Sequence, residues 1–175
     1  MKLLGISGSL RKASTNSMLV REAARIAEPS EFEFADMDLP LFNEDVEAVG
    51  MPAPVQALID QIWAADAIVM STTEYNKGPS GVMKNMLDWV SRPRPAPLAG
   101  KPVAVLSAAA GGAGGQRAMS MMYLYLIPFK VRLVTVQEVN IGTSFKAFDS
   151  EGKLMDEAHI AALTRQMDAL KAAVA

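Results

Sequence analysis

Cysteine is absent from the sequence, and histidine occurs once, at position 159. The lack of cysteine excludes a disulfide scaffold, a thiolate zinc site and thiol catalysis. Because the acidic residues form no cluster at the end of a predicted strand, we expect no metal site. Ser9 has no partner histidine and lies outside a Gly-x-Ser-x-Gly turn, so a hydrolase triad is not expected either.

Long apolar runs and an excess of one charge are also missing. No stretch approaches the roughly 18 apolar residues of a membrane-spanning helix, and the short apolar run at the start is interrupted by glycine, unlike a signal peptide. With 17 basic and 19 acidic residues, nothing favours nucleic acid. The 175 residues, 50% of them hydrophobic, fit one globular domain over 1–175. We expect a cytoplasmic protein with no membrane or nucleic-acid partner.

Short apolar runs alternate with helical patterns along the chain. Strands are predicted over 2–6, 31–36, 67–70, 103–106 and 133–136. Helices are predicted over 16–27, 54–64, 80–91, 116–129 and 156–175. This alternation predicts an α/β fold with a parallel sheet covered on both faces. The pattern does not choose the strand order, but a doubly wound five-stranded sheet of order 2-1-3-4-5 fits the number of elements.

The loop after the first predicted strand, residues 7–17, is rich in hydroxyl groups and cations. It contains Arg11, Lys12 and the Asn16 amide, together with several serines. The helix that follows would add free backbone N–H groups and the positive end of its dipole. This combination favours phosphate binding, with Arg11 making a charge-assisted contact. The glycine spacing of a P-loop or a dinucleotide fingerprint is absent, and a serine-rich helix cap is the alternative.

Two further loops follow the third and fourth predicted strands. Residues 71–81 can direct several backbone N–H groups at one flat ligand edge, although a simple turn rich in asparagine, glycine and proline has the same composition. Residues 107–115 are serine, alanine and glycine, whose small side chains let a ring approach the backbone closely. The alternative for this loop is a flexible linker, which would separate a strand from its crossover helix.

The three loops share one position in the predicted fold, because each follows the C-terminal end of a strand. In a 2-1-3-4-5 sheet the switch point lies between the first and third strands, and ligands bind there. One ligand can therefore place a phosphate on the first loop and a flat ring against the other two.

These loops and the residues after them resemble a known family. The matching residues are Gly8-Ser9-Leu10-Arg11 with Asn16, Glu74-Tyr75-Asn76 with Gly81, Lys84-Asn85 and Asp88-Trp89, and Gly114-Gly115 with Arg117. In this order the sequence resembles the NADPH-dependent FMN reductase family, nearest to its chromate and quinone reductase branch, from residue 2 to about 160. The resemblance implies a flavodoxin-like fold, FMN as cofactor, NADPH or NADH as co-substrate, and a small electron acceptor.

The resemblance also implies which residues contact FMN, with the phosphate on the first loop and the isoalloxazine between the other two. The implied contacts are Ser9, Arg11, Ser14, Asn16, Ser17, Met18, Thr73, Glu74, Tyr75, Asn76, Ser107, Gly111 and Gly112. The family usually has proline at the positions of Thr73 and Ser80. Both replacements can change the rigidity of the loop, and with it flavin affinity or potential.

The implied reaction passes a hydride from NAD(P)H through FMN to a quinone, an azo compound, chromate or free flavin. Because the flavin carries the chemistry, no catalytic side chain is expected. One alternative is a flavodoxin-type electron carrier without NAD(P)H turnover, although such carriers tend to be strongly acidic and the net charge here is only -2. The other is a nucleotide-binding regulatory domain without redox chemistry.

The helix predicted over 116–129 is apolar nearly all round. An outer helix of a monomer should keep one polar face, and packing against the sheet accounts for only one side. The pattern, together with the family resemblance, predicts a homodimer or homotetramer.

Overall fold

The computed structural model describes residues 1–174, which include eight β-strands. They are β1 (Lys2–Ser7), β2 (Glu31–Phe34), β3 (Ala67–Thr72), β4 (Glu74–Tyr75), β5 (Gly78–Pro79), β6 (Pro102–Ala108), β7 (Arg132–Leu133) and β8 (Asn140–Ile141). The central sheet is parallel and runs β2-β1-β3-β6, with β7 and β8 both pairing with the far side of β6. The remaining strands, β4 and β5, form a separate antiparallel hairpin.

Six α-helices accompany the sheet, and five of them cover its two faces. They are α1 (Thr15–Ala27), α2 (Glu44–Ala48), α3 (Ala53–Ala64), α4 (Gly81–Val90), α5 (Gln116–Leu126) and α6 (Glu157–Ala172). One face packs against α1 and α6, and the other packs against α3, α4 and α5. Among the described helices, none combines the length and apolar character needed to cross a membrane.

The predicted sheet is confirmed, and its central strands show why. Every residue of β3 and β6 is buried, because helices cover both sides of these strands. Such strands have near-continuous apolar sequences, which made them recognisable. The order matches 2-1-3-4-5, with β3 and β6 as its third and fourth positions.

The fifth position differs from the predicted strand over 133–136. It is divided between β7 and β8, and the chain leaves the sheet between them. The side chain of Gln166, on α6, is the physical reason. Its amide donates to the Val134 carbonyl at 2.5 Å and accepts from the N–H groups of Val136 and Gln137 at 3.2 and 3.4 Å. The Val134 carbonyl and the N–H groups of Val136 and Gln137 therefore bond to the Gln166 side chain and not to a neighbouring strand.

Smaller differences concern the loops and helix ends. The segment between the strand predicted over 31–36 and the helix predicted over 54–64 contains the short helix α2, and the second predicted site loop contains the β4–β5 hairpin. The helix predicted over 116–129 ends as α5 at Leu126 and continues as the 3-10 turn Ile127–Phe129. The helix predicted over 156–175 ends at Ala172, and position 175 lies outside the described residues.

Candidate functional site

The loops after β1, β3 and β6 meet at one edge of the sheet, as their positions predicted. They surround a pocket of about 200 Å³. Its lining residues are Ser9, Arg11, Ser14, Thr15, Asn16, Thr73, Glu74, Tyr75, Ala108, Ala109, Ala110, Ser144 and Phe145. The pocket therefore lies at the switch point between β1 and β3, where the chain leaves the sheet in opposite directions.

Asn16 holds the three walls of this pocket together. Its Oδ1 accepts from the Ser71 hydroxyl at 2.8 Å and from the Ala108 N–H at 3.0 Å, while its Nδ2 donates to the Ala108 carbonyl at 2.9 Å. The residue is only 3% exposed. Its side chain thus links α1 to the ends of β3 and β6, and its amide groups are already engaged within the protein.

The N-terminus of α1 points free donors at the pocket. Ser14 is the N-cap, and its hydroxyl accepts from the Ser17 N–H at 3.2 Å. Within residues 1–174, the N–H groups of Thr15 and Asn16 donate to no protein acceptor. Arg11 lies beside them with an exposed side chain. Free N–H groups, a helix dipole and a guanidinium together form a site for an anion.

The second loop is built as a tight hairpin with Asn76 and Lys77 at its tip. Their φ angles of 50° and 68° match the two left-handed positions of a type I′ turn. The hairpin leaves the Tyr75 side chain 59% exposed at the pocket rim. At its base the Ser80 hydroxyl donates to the Gly8 carbonyl at 2.6 Å and accepts from the Met83 N–H at 3.3 Å. The serine that replaces the family's proline therefore joins the first and second loops.

Glu74 serves as a cap for α5 from outside that helix. The N-cap position of α5 is Gly115, which has no side chain to offer. The Glu74 carboxylate instead accepts from the N–H groups of Arg117 and Ala118 at 3.1 and 3.4 Å, and pairs with the Arg117 guanidinium at 3.3 Å. Its side chain is thus directed to α5, while the residue still lines the pocket.

The third loop is closely packed on one side and open on the other. The Ser107 hydroxyl donates to the Gly114 carbonyl at 2.5 Å, and a Cβ at Gly115 would lie 2.0 Å from that same hydroxyl. Gly115 also has a φ of 86°, so only glycine fits there. In the described part of the chain, the N–H groups at 110–112 have no protein acceptor. These N–H groups are therefore free to donate to a ligand.

The structure brings together part of the predicted set. Pocket-lining members are Ser9, Arg11, Ser14, Asn16, Thr73, Glu74 and Tyr75. The others lie outside the lining, and they are Ser17, Met18, Asn76, Ser107, Gly111 and Gly112. Ser17 borders an adjacent depression, and Met18 borders another that shares Arg11, Thr15, Ser144 and Phe145 with the pocket. Asn76 is at the hairpin tip, and Ser107 is buried beneath its loop.

Sequence reasoning missed Ser144 and Phe145, which line the pocket from the segment after β8. The Thr15 hydroxyl donates to the Ser144 hydroxyl at 3.0 Å, and the Ser144 N–H donates to the Ala109 carbonyl at 3.1 Å. The available signal was position, because this segment follows the fifth strand just as the other loops follow theirs. Placing that strand over 133–136 moved its predicted end away from Ser144.

The chain also matches a known protein family. The family model for NADPH-dependent FMN reductases matches residues 1–146. The chain belongs to the NADPH-dependent FMN reductase family. It is accordingly an oxidoreductase with FMN as its cofactor and NAD(P)H as its reductant.

Individual relatives cover nearly the whole chain. An NAD(P)H-dependent FMN reductase of Pseudomonas aeruginosa is 42% identical over 173 residues, covering 98% of this chain and 94% of the relative. A quinone reductase of Escherichia coli is 35% identical, covering 97% of this chain and 93% of the relative. A flavoenzyme NAD(P)H:(acceptor) oxidoreductase of Paracoccus denitrificans has a TM-score of 0.89 at 30% identity, covering 99% of this chain and 96% of the other.

The donors around the pocket fit FMN. At one end, the free N–H groups of Thr15 and Asn16 and the Arg11 side chain suit a phosphate. At the other end, the small side chains of 108–110 leave room for a flat ring, and the free N–H group of Ala110 is available to its carbonyl edge. The requirements of both ends of the cofactor are therefore met along one edge of the sheet.

Proposed function

We propose that this chain transfers two electrons from NAD(P)H, through bound FMN, to a small acceptor, with quinones favoured. The observation that carries the proposal is the meeting, in one pocket, of an anion site on α1 and the small residues 108–110 of the third loop, where the Ala110 N–H is free. Such a pocket holds a molecule that is anionic at one end and flat at the other, with one flat face still open to reactants.

The first loop is the proposed phosphate site. Thr15 and Asn16 would bind through their backbone N–H groups, Arg11 through its guanidinium, and Ser9 through its hydroxyl. Asn16 acts there through its backbone, because its side chain is bonded to Ser71 and Ala108. Ser14 contributes by holding the helix N-terminus in shape.

The second and third loops are the proposed ring site. FMN, when bound, supplies the hydride chemistry, and the protein binds and orients it. The N–H groups at 110–112 would stabilise the negative charge that develops on the ring upon reduction, as pre-organised donors do elsewhere. Thr73, just before the hairpin, and Tyr75 would flank the ring, and Glu74 fixes the hairpin to α5. No acid–base side chain is needed for these steps.

An Arg11→Ala variant tests the phosphate site. Loss of one charge-assisted hydrogen bond at this exposed position should weaken FMN binding by about 1.5 kcal/mol, roughly tenfold. Fluorescence titration of the apoprotein with FMN measures the change. A Lys171→Ala variant is the matched control, because Lys171 lies on α6 and pairs with Asp168. Equal FMN affinity in the Arg11 variant and the wild type would contradict the assignment.

Steady-state kinetics test the order of the reaction. A single open ring face admits one flat partner at a time, so NAD(P)H must leave before the acceptor enters, which gives parallel double-reciprocal lines. The polar groups of the pocket are assigned to FMN or bonded within the protein, and none is assigned to the acceptor, so we expect broad use of quinones, azo compounds, chromate and free flavin. Intersecting lines, or activity with a single acceptor only, would contradict this part of the proposal.

We also propose a homodimer or homotetramer in the cytoplasm, where a reductase has access to reduced nicotinamide nucleotides. The outer face of α5 and the turn after it supports assembly, because Leu124 and Ile127 are 64% and 65% exposed. Light scattering at micromolar concentration should give a multiple of the 18.7 kDa chain mass. A Leu124→Arg variant should shift the protein towards the monomer. A monomeric wild type would refute the proposed assembly.

A further inference from the structure

A second depression, of about 250 Å³, adjoins the cofactor pocket on the β2 side of β1. The two share Ser9 and Arg11, so they are continuous across the first loop. The outer wall of this depression is the segment after β2, from Phe34 to Met37. We call this depression the basic pocket, since its lining includes Arg11, Lys12 and Arg21.

The cations of the basic pocket lack partners of their own. Within residues 1–174, none of Arg11, Lys12 and Arg21 lies within salt-bridge distance of a carboxylate. The only acidic residue in the lining is Asp36, and its Oδ1 accepts from the Asp38 N–H at 3.0 Å. Three cations against one carboxylate give the pocket a positive charge and favour an anion as its occupant.

Arg21 is oriented for this task by an aromatic ring. Its guanidinium carbon lies 4.2 Å from the centre of the Phe34 ring, a cation–π contact that holds the group at the end of β2. A planar guanidinium held in place matches the oxygens of a phosphate better than a mobile ammonium does.

We propose that the basic pocket binds the 2′-phosphate of NADPH and makes NADPH the preferred reductant over NADH. The proposal rests on the proposed function, because it requires a nicotinamide nucleotide to bind beside FMN. The cofactor's own phosphate has its donors at the N-terminus of α1 in the neighbouring pocket. A second anion site continuous with the first suits a partner that brings a further phosphate, and the 2′-phosphate is the group that NADH lacks.

Substitutions at Lys12 and Arg21 can distinguish the basic pocket from the cofactor pocket. Both line the basic pocket and neither lines the cofactor pocket, whereas Arg11 lines both. Both side chains are exposed, so their replacement removes no core contact. A Lys12→Gln/Arg21→Gln double variant therefore changes the charge of the basic pocket alone. Lys171→Gln, on α6, is the control for loss of a surface cation.

Calorimetric titration of the FMN-loaded protein with 2′,5′-ADP and with 5′-AMP, which lacks only the 2′-phosphate, tests the site without turnover. The wild type and the control should bind 2′,5′-ADP about tenfold more tightly than 5′-AMP, as expected for charge-assisted bonds to the extra phosphate. The double variant should lose this difference. Equal binding of the two nucleotides by the wild type would overturn the proposal, as would a double variant that keeps the difference.

Kinetics and FMN titration complete the test. The ratio of kcat/KM for NADPH to that for NADH should exceed one in the wild type and fall about tenfold in the double variant, mainly through KM for NADPH. Weaker FMN binding in the double variant, with an unchanged ratio, would place the cofactor's phosphate in the basic pocket and overturn the proposal. If the protein oxidises neither NADPH nor NADH but still binds 2′,5′-ADP selectively, the proposed reductase function is contradicted, whereas the basic pocket is still supported as an anion site.

Discussion

Replacing Asn16 by alanine removes the side chain that joins α1 to the ends of β3 and β6. Three hydrogen bonds are lost, two accepted by Oδ1 and one donated by Nδ2. The partners left behind are the Ser71 hydroxyl and both backbone groups of Ala108, all in a buried region. Because the cofactor pocket lies between the same elements, the substitution should affect both stability and FMN binding.

The expected loss of stability follows from these contacts. At a net value of about 1 kcal/mol for each buried hydrogen bond, the Asn16→Ala variant should lose about 3 kcal/mol of unfolding free energy. For a chain of this size, such a loss lowers Tm by roughly 6–12 °C. Weaker FMN affinity should accompany it, since the N–H groups of Thr15 and Asn16 would no longer be fixed relative to the third loop.

Urea unfolding of the apoprotein measures the first effect, and FMN titration the second. Asn43→Ala is the matched control, because Asn43 caps the exposed helix α2 through a single bond to the Asp45 N–H. We expect that control to lose about 1 kcal/mol or less and to bind FMN normally. An Asn16→Ala variant as stable as the control would refute the role assigned to this side chain.

An Asn16→Asp variant adds a pH dependence with a defined sign. The introduced carboxyl group would face the Ala108 carbonyl in a buried site, which raises its pKa in the folded state above the unfolded value of about 3.9. The folded state then binds the proton more tightly, so unfolding free energy should rise as pH falls from neutral through the raised pKa. Wild-type protein should show no such recovery in urea melts over the same range. If the unfolding free energy of the variant stays constant or falls with pH as in the wild type, the buried position of this side chain beside the Ala108 carbonyl is contradicted.

Further substitutions test the contacts around the site and the sheet. Ser80→Ala should cost about 2 kcal/mol in urea unfolding, because the Gly8 carbonyl loses its donor and α4 loses its N-cap; a change below about 0.5 kcal/mol would count against that link. Glu74→Ala should cost about 1 kcal/mol through loss of the α5 cap, whereas Glu74→Gln, which keeps an acceptor oxygen, should cost less. Burial lowers the pKa of Lys101 from its usual 10.5. The unfolded chain therefore holds that proton more tightly, and unfolding free energy should rise between neutral pH and 10.5 in the wild type more than in Lys101→Met.

Much of the fold followed from local sequence. The buried strands β1, β3 and β6 are short apolar runs, and the parallel order places the loops after them at one edge. The pairing of β7 and β8 did not follow, because it depends on Gln166, which is distant in sequence and replaces sheet bonds with its own side chain.

The sequence predicted the location of the candidate site more fully than the roles of its individual residues. Arg11 and Tyr75 line the pocket as expected. Asn16 also lines it, but its amide is used to connect elements, a role that residue type alone does not distinguish from ligand binding. Phe145 was missed because its segment is placed by β8, a strand of two residues that carries too little pattern to recognise.

The visible spectrum of the FMN-loaded protein, recorded without oxygen before and after NADPH, tests the central claim most directly. A reductase should retain FMN through gel filtration, and NADPH should rapidly bleach the flavin absorption, which a quinone should then restore. A flavin that stays oxidised when NADPH is added would instead indicate an electron carrier. A colourless protein that does not retain FMN would contradict the account altogether.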